Sequence, residues 1–148
     1  MKIITYPNPI LQAPAQEINL ADLAVKKLQK LIKNMVKNMH KADGVGLAAP
    51  QVGKSLRISV INKKAGGLTD DLILINPVII SGSLETEIQQ EGCLSLPGVQ
   101  IKIERTKWIK VKAIDLNGNR FYLEARDLLA RVIQHEIDHL DGVLIIDK

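Results

Sequence analysis

Six consecutive residues near the end of the chain, Gln134-His135-Glu136-Ile137-Asp138-His139, carry the strongest chemical signal. On a helix, residues four apart share a face, so His135 and His139 can aim two imidazole nitrogens at one metal ion. Glu136 lies one position along, within reach of a water held by such an ion without being a ligand itself. Two ligands and a general base on one helical turn is the logic of the HExxH pattern. The competing reading is two ordinary histidines on an amphipathic helix. The third histidine, His40, has no comparable company and reads as a surface residue.

A catalytic divalent ion takes three protein ligands and keeps one position open. Only nine residues follow His139, and their side-chain candidates are Asp141 and Asp147. Asp141 is two positions from His139, which turns it away from the shared face. Upstream, Cys93 stands in Glu91-Gly92-Cys93-Leu94-Ser95 and is the single cysteine of the chain. One thiol excludes an internal disulfide framework and a zinc cluster built of cysteines. A lone cysteine is ordinarily a small buried core residue. Beside an HExxH pattern and in this polar setting, it reads instead as the third ligand, a thiolate kept deprotonated by the metal.

A low-bulk stretch, Gly44-Val45-Gly46-Leu47-Ala48-Ala49-Pro50-Gln51, is a place where the backbone can approach something closely. The elements around these segments follow from hydrophobic spacing. Pro7, Pro9 and Pro14 make the chain through Ile18 irregular. Asn19 reads as an N-cap with Asp22 as a weak capping-box acid, opening a helix from Leu20 to Lys41 that stops before Gly44. Runs at Leu56–Ile61, Leu72–Ile75, Val78–Ile80, Leu84–Gln90, Ile101–Ile103 and Trp108–Asp115 read as strands, with Asn76-Pro77 breaking the second from the third. Asn117-Gly118 is a tight hairpin turn leading to Asn119–Glu124. The last helix spans about Asp127 to Asp141, with Gly142 as its stop. Strands clustered between two helices give an α+β class: antiparallel or mixed sheets around a C-terminal metal-binding helix, with an N-terminal helix.

The 148 residues, 46% hydrophobic and 24% charged, fit one domain over 1–148 and leave little room for a second. One Trp, one Phe and two Tyr force an aliphatic core and disfavour base stacking of the kind RNA modules use. The net charge of +4 is mild. Lys26, Lys27, Lys30, Lys33, Lys37 and Lys41 gather on the polar face of the first helix, which reads as a solvated face or, as the less favoured alternative, a contact for ribosomal RNA or another acidic partner. No apolar run is long enough for a membrane span, and the start lacks a signal-peptide pattern. The expected location is therefore the cytoplasm, an organelle or infected host cell being the alternatives.

Three short motifs, Gly44–Gln51 (GxGxAAxQ), Glu91–Ser95 (EGCxS) and Gln134–Gly142 (QHExDHxxG), stand complete and in order. With them the sequence resembles the peptide deformylase family across nearly its whole length. The opening Tyr6-Pro7-Asn8-Pro9-Ile10-Leu11 also resembles that family's start, with Gln12 where a basic residue is common. The chain ends soon after the third motif, so the resemblance is to short members without a C-terminal extension. Asp127 stands at a helix entry where the family leads one to expect glycine, and an aspartate there can cap the helix.

The resemblance implies removal of the formyl group from the initiator methionine of nascent polypeptides, with release of formate. It implies Cys93, His135 and His139 as metal ligands. It further implies Glu136 as general base and acid toward a metal-bound water, and Gln51 with the Leu94 backbone N–H as oxyanion donors. Gly44, Val45 and Gly46 would pair with the substrate strand. Leu128 and Val132, with Val45, are candidates for the methionine pocket, plain core packing being their alternative. Glu91 would pair with Arg105. Ferrous iron is the implied native metal, with zinc or nickel as replacements. The implied partners are formyl-Met polypeptides and a transient ribosome contact, with no membrane or DNA, for a monomer. Two further readings remain open on the residues alone: a zinc peptidase cleaving internal bonds, and a non-catalytic RNA-binding protein with a structural zinc.

Overall fold

In the computed structural model, which describes residues 1–148, the apolar strand runs pair into two antiparallel sheets. The larger has five strands in the order β1 (Gly46–Ala48), β2 (Ile58–Ile61), β3 (Leu72–Gly82), β6 (Trp108–Ile114) and β7 (Arg120–Arg126). The smaller is a hairpin of β4 (Thr86–Cys93) and β5 (Leu96–Thr106). Helix α1 spans Lys26–Lys41 and helix α2 spans Asp127–Leu140. The α+β class with an N-terminal and a C-terminal helix is the fold observed. Its sheets are antiparallel throughout; the one parallel contact is an isolated bridge between Gln16 and Leu56. No helix is long and apolar enough to cross a membrane.

Strand β2 explains how the helices are placed. All four of its residues are buried, because side chains alternate between two covered faces. Ile58 and Val60 pack with Ile32, Met35 and Met39 of α1. Ile61 packs on the other side with Leu129, Ile133 and Ile137 of α2. The core is aliphatic, as the scarcity of aromatic residues requires: its buried hydrophobic members include no Phe, Tyr or Trp.

Several boundaries differ from the sequence reading, each for a physical reason. Helix α1 begins at Lys26, not Leu20; Asn19 caps only a short 3₁₀ turn at Leu20–Asp22, accepting from the Ala21 amide. At about 100° per residue, Leu23 would lie roughly 180° from Ile32 around one continuous helix. Leu23 and Ile32 are nevertheless buried in the same apolar cluster. A straight helix through both cannot turn them to one side, and the chain breaks at Val25, which has extended backbone. Asn76-Pro77 interrupts register but not the strand: β3 runs on as one element with a shift between Ile75 and Val78, and Asn76 takes φ 49°. The Asn117-Gly118 turn forms as expected, with Asp115 Oδ1 accepting from the Asn117 and Asn119 amides.

Helix α2 does two jobs with two faces. Its apolar side faces the five-stranded sheet. Its other side is polar and faces the β4–β5 hairpin through Arg131, Gln134, His135 and Asp138, spaced i, i+3, i+4, i+7. Asp127, the first residue of α2, has φ 53°, and the N-cap position falls to Arg126, which makes no side-chain capping hydrogen bond. The expected aspartate cap is therefore absent. The left-handed backbone is the reason a glycine is expected at this entry.

Candidate active site and metal centre

Helix α2 and strand β4 bring three donors together. His135 and His139 project from one face of α2, and Cys93 ends β4, where the register with β5 shifts between Glu91 and Cys93. Their ligating atoms all lie within 4.8 Å of one another. The Nε2 atoms of the two histidines are 3.1 Å apart, and Cys93 Sγ is 3.3 Å from His139 Nε2. Donors bonded tetrahedrally to one Zn²⁺-sized ion sit about 3.3–3.6 Å apart, given bonds of about 2.0–2.3 Å. One thiolate and two imidazoles aimed at a common point thus fit a divalent cation. Asp141 and Asp147 are engaged elsewhere: Asp141 pairs with Arg57 at 2.9 Å, and Asp147 accepts from the Leu144 amide.

Around the donors, a polar frame fixes their orientation. His135 Nδ1 is 2.9 Å from Glu91 Oε1, the carboxylate–histidine contact that sets ring orientation in metal sites. Glu91 is buried and also accepts from Arg105 Nε at 2.9 Å and Arg105 Nη2 at 2.8 Å, so the Glu91–Arg105 pair forms as a bidentate fork. Burial acts to raise the Glu91 pKa, but the Arg105 and His135 hydrogen bonds outweigh it and hold this carboxyl far below its ordinary value. Arg105 also reaches Asp138.

Glu136 is 3% exposed, and its Oε1 has no hydrogen-bond partner. Burial pushes its pKa up to about 7, against the opposing pull of the His135 and Arg105 charges. Gly46 on β1 leaves the room: a Cβ there would lie 2.5 Å from Glu136 Oε2. Gln51 is buried, with Oε1 accepting from the Ala48 amide at 2.9 Å. Its carbonyl end being taken, the amide nitrogen faces Ser95 Oγ at 3.1 Å and Cys93 Sγ at 3.7 Å. The N-terminal segment braces both walls, with Ile4 N donating to Gln51 O and Tyr6 N to Ser95 O.

Gln51, Glu91, Cys93, His135 and Glu136 line one cleft of about 410 Å³, together with Gly44, Val45, Gly46, Leu94, Leu128 and Val132, while His139 is buried beside Cys93 and His135. Every residue expected at the site is therefore in or beside this cleft. Val132 is buried, whereas Leu128 and Val45 are half exposed at 50% and 47%. Sequence reasoning passed over Arg131, Asp43, Gln90 and Gln100, which also line the cleft. Arg131 carried a signal: a charge inside the apolar run Leu128–Ile133, four residues before His135. His40, expected alone at the surface, pairs with Asp71 at 2.6 Å.

Comparison with known proteins agrees with this geometry. The family model described as polypeptide deformylase matches residues 1–148. Peptide deformylase 1 of Bacillus anthracis is 48% identical over 148 residues, covering 100% of this chain and 91% of that protein. The crystal structure of peptide deformylase from Thermotoga maritima superposes with a TM-score of 0.92 at 41% identity, covering 99% of this chain and 95% of that one. A class I type b peptide deformylase from Acinetobacter baumannii superposes with a TM-score of 0.94 at 32% identity, over 100% and 98% of the two chains. With a Cys-His-His donor set in that fold, the chain belongs to the peptide deformylase family and is a metal-dependent N-formyl hydrolase.

Proposed function

We propose that the chain removes the formyl group from the N-terminal methionine of nascent polypeptides, and that Cys93, His135 and His139 hold the metal. A divalent ion held by these three residues would supply Lewis acidity toward the formyl carbonyl and a water. The chain's own residues divide the remaining work. Glu136 takes a proton from the attacking water and delivers it to the departing amine. The formyl C–N bond breaks, the water oxygen stays with carbon, and formate and a free N-terminus leave. Gln51 Nε2 and the Leu94 N–H donate to the oxygen on which negative charge develops. The edge at Gly44, Val45 and Gly46 pairs with the peptide backbone, and Val132 with Leu128 and Val45 receives the methionine side chain.

The observation that carries this reading is a buried carboxylate with a free oxygen, Glu136 Oε1, beside three converged donors. A site built only to hold an ion for structure has no use for that group. The soft thiolate and two imidazoles suit ferrous iron as the resident metal and admit zinc or nickel. Glu136→Gln is expected to retain metal and fold while losing about 10²–10⁴-fold in formate release. Unchanged release in that variant would refute the role of Glu136. Anaerobic purification with metal analysis and a formate assay on one sample identifies the ion.

On this reading the protein acts where translation occurs, in the cytoplasm, as a monomer in transient contact with the ribosome. The six lysines of α1 named above are all exposed, and they supply the positive face for that contact. An affinity for ribosomes that does not change with salt would overturn it.

A further inference from the structure

We infer that Arg131 is a positioning residue for the metal centre: it ties helix α2, which carries two donors, to the hairpin that carries the third. Arg131 is 7% exposed, and its guanidinium meets three acceptors on two strands. Its Nη1 donates to Glu91 Oε2 at 2.6 Å and to the Ile103 carbonyl of β5 at 3.0 Å. Its Nη2 donates to the Glu87 carbonyl of β4 at 2.6 Å. Glu91 in turn contacts His135, and Cys93 lies two residues further along the same strand. Cys93 belongs to the hairpin and the histidines to the helix, so their convergence depends on how the two elements are held together.

The other polar ties do a different job. Gln134 exchanges hydrogen bonds with the Thr106 backbone, at the end of β5 remote from Cys93. Arg105 binds Glu91 and Asp138, but its two partners are side chains and leave the backbone of β4 untouched. Arg131 alone of these donates to main-chain oxygens on both strands while also gripping the carboxylate that orients His135. A lysine in its place keeps the charge and the apolar stem but lacks the planar fork that reaches several acceptors at once.

This inference rests on Cys93, His135 and His139 as the ligands. Its test is Co²⁺ affinity and the thiolate-to-cobalt absorption band, measured on metal-free wild type, Arg131→Lys and Arg131→Met, with apo-protein melting recorded in parallel. Both variants are expected to bind Co²⁺ about 10–100-fold more weakly, as displaced outer partners of metal ligands do, with a weakened or shifted thiolate band. Should Arg131→Met not fold, Arg131→Lys carries the test by itself. Affinity within twofold of wild type and an unchanged band, whatever the change in melting, would show that Arg131 serves stability only and overturn the inference. Wild type without a thiolate band would instead refute the ligand assignment, so the two failures are distinguishable.

Discussion

Gly46 and Glu136 form one unit, although they lie 90 residues apart in sequence and on different elements. A methyl group on Gly46 would meet Glu136 Oε2 at 2.5 Å and its Cγ and Cδ at 2.9 Å. Such a contact cannot stand, and Glu136 has to move because β1 is fixed by its pairing with β2. Gly46→Ala is therefore expected to lower kcat by about 100-fold, the scale of loss when a reacting group is displaced by about an ångström. Melting should change less than kcat, since the atoms displaced belong to one side chain and not to backbone. Full kcat in a correctly folded Gly46→Ala protein would show that the Glu136 position is not critical. This pairing was half legible in the sequence. The glycines announced a close approach, and HExxH announced the carboxylate, but nothing in the linear order joined them. The same holds for Arg131 and Glu91, a buried pair whose partners are 40 residues apart. Spacing along a helix reveals contacts within one element; contacts between elements need the fold.

Element ends were where the sequence was least explicit, and two of them yield measurable consequences. Asp127 enters α2 with φ 53°. Aspartate, asparagine and glycine tolerate this region, whereas a β-branched side chain does not. Asp127→Val is expected to cost about 1–2 kcal/mol in a denaturation titration, while Asp127→Gly and Asp127→Asn stay close to wild type. An unaffected valine variant would mean the helix can enter with ordinary backbone. At the far end of α1, Asp71 receives His40 Nε2 at 2.6 Å and the Lys63 amide at 2.9 Å. Burial acts to raise the Asp71 pKa, but the His40 and Lys63 hydrogen bonds outweigh it, and the pKa lies below its ordinary value. A depressed folded-state pKa contributes stability above the unfolded value and loses it as pH falls through the folded one. Asp71→Asn is thus expected to be less stable than wild type at pH 7 by about 0.5–1 kcal/mol. That gap should close as pH falls below about 4. A gap that stays constant down to about pH 2.5, well under the ordinary carboxylate range, would show that the charge on Asp71 contributes nothing. The sequence could not supply the pair: His40 reads as a surface residue and is exposed, but its partner comes from the loop before β3.

Helix α2 stands between two sheets that share no strand pairing, and the molecule's site exists because of that division. The five-stranded sheet holds α2 by apolar packing, which is non-directional and tolerates small shifts. The hairpin holds it by hydrogen bonds and ion pairs, which fix direction. The donor set straddles the second contact, with Cys93 on the hairpin and His135 and His139 on the helix. A bound ion is then a further bond between the same two bodies, and its binding energy adds to stability as RT ln(1 + [L]/Kd), about 4 kcal/mol at about 1,000 times Kd. Added Zn²⁺ or Co²⁺ is therefore expected to raise Tm and to slow amide exchange in β4 and β5 as well as in α2, with β3, β6 and β7 changing less. The comparison needs only the metal-free and loaded forms under hydrogen–deuterium exchange. Protection confined to α2, with the hairpin unaffected, would mean that Cys93 does not share the ion with the histidines. Protection of the hairpin that disappears in Cys93→Ala would identify the thiolate as the link through which the ion joins the hairpin to helix α2.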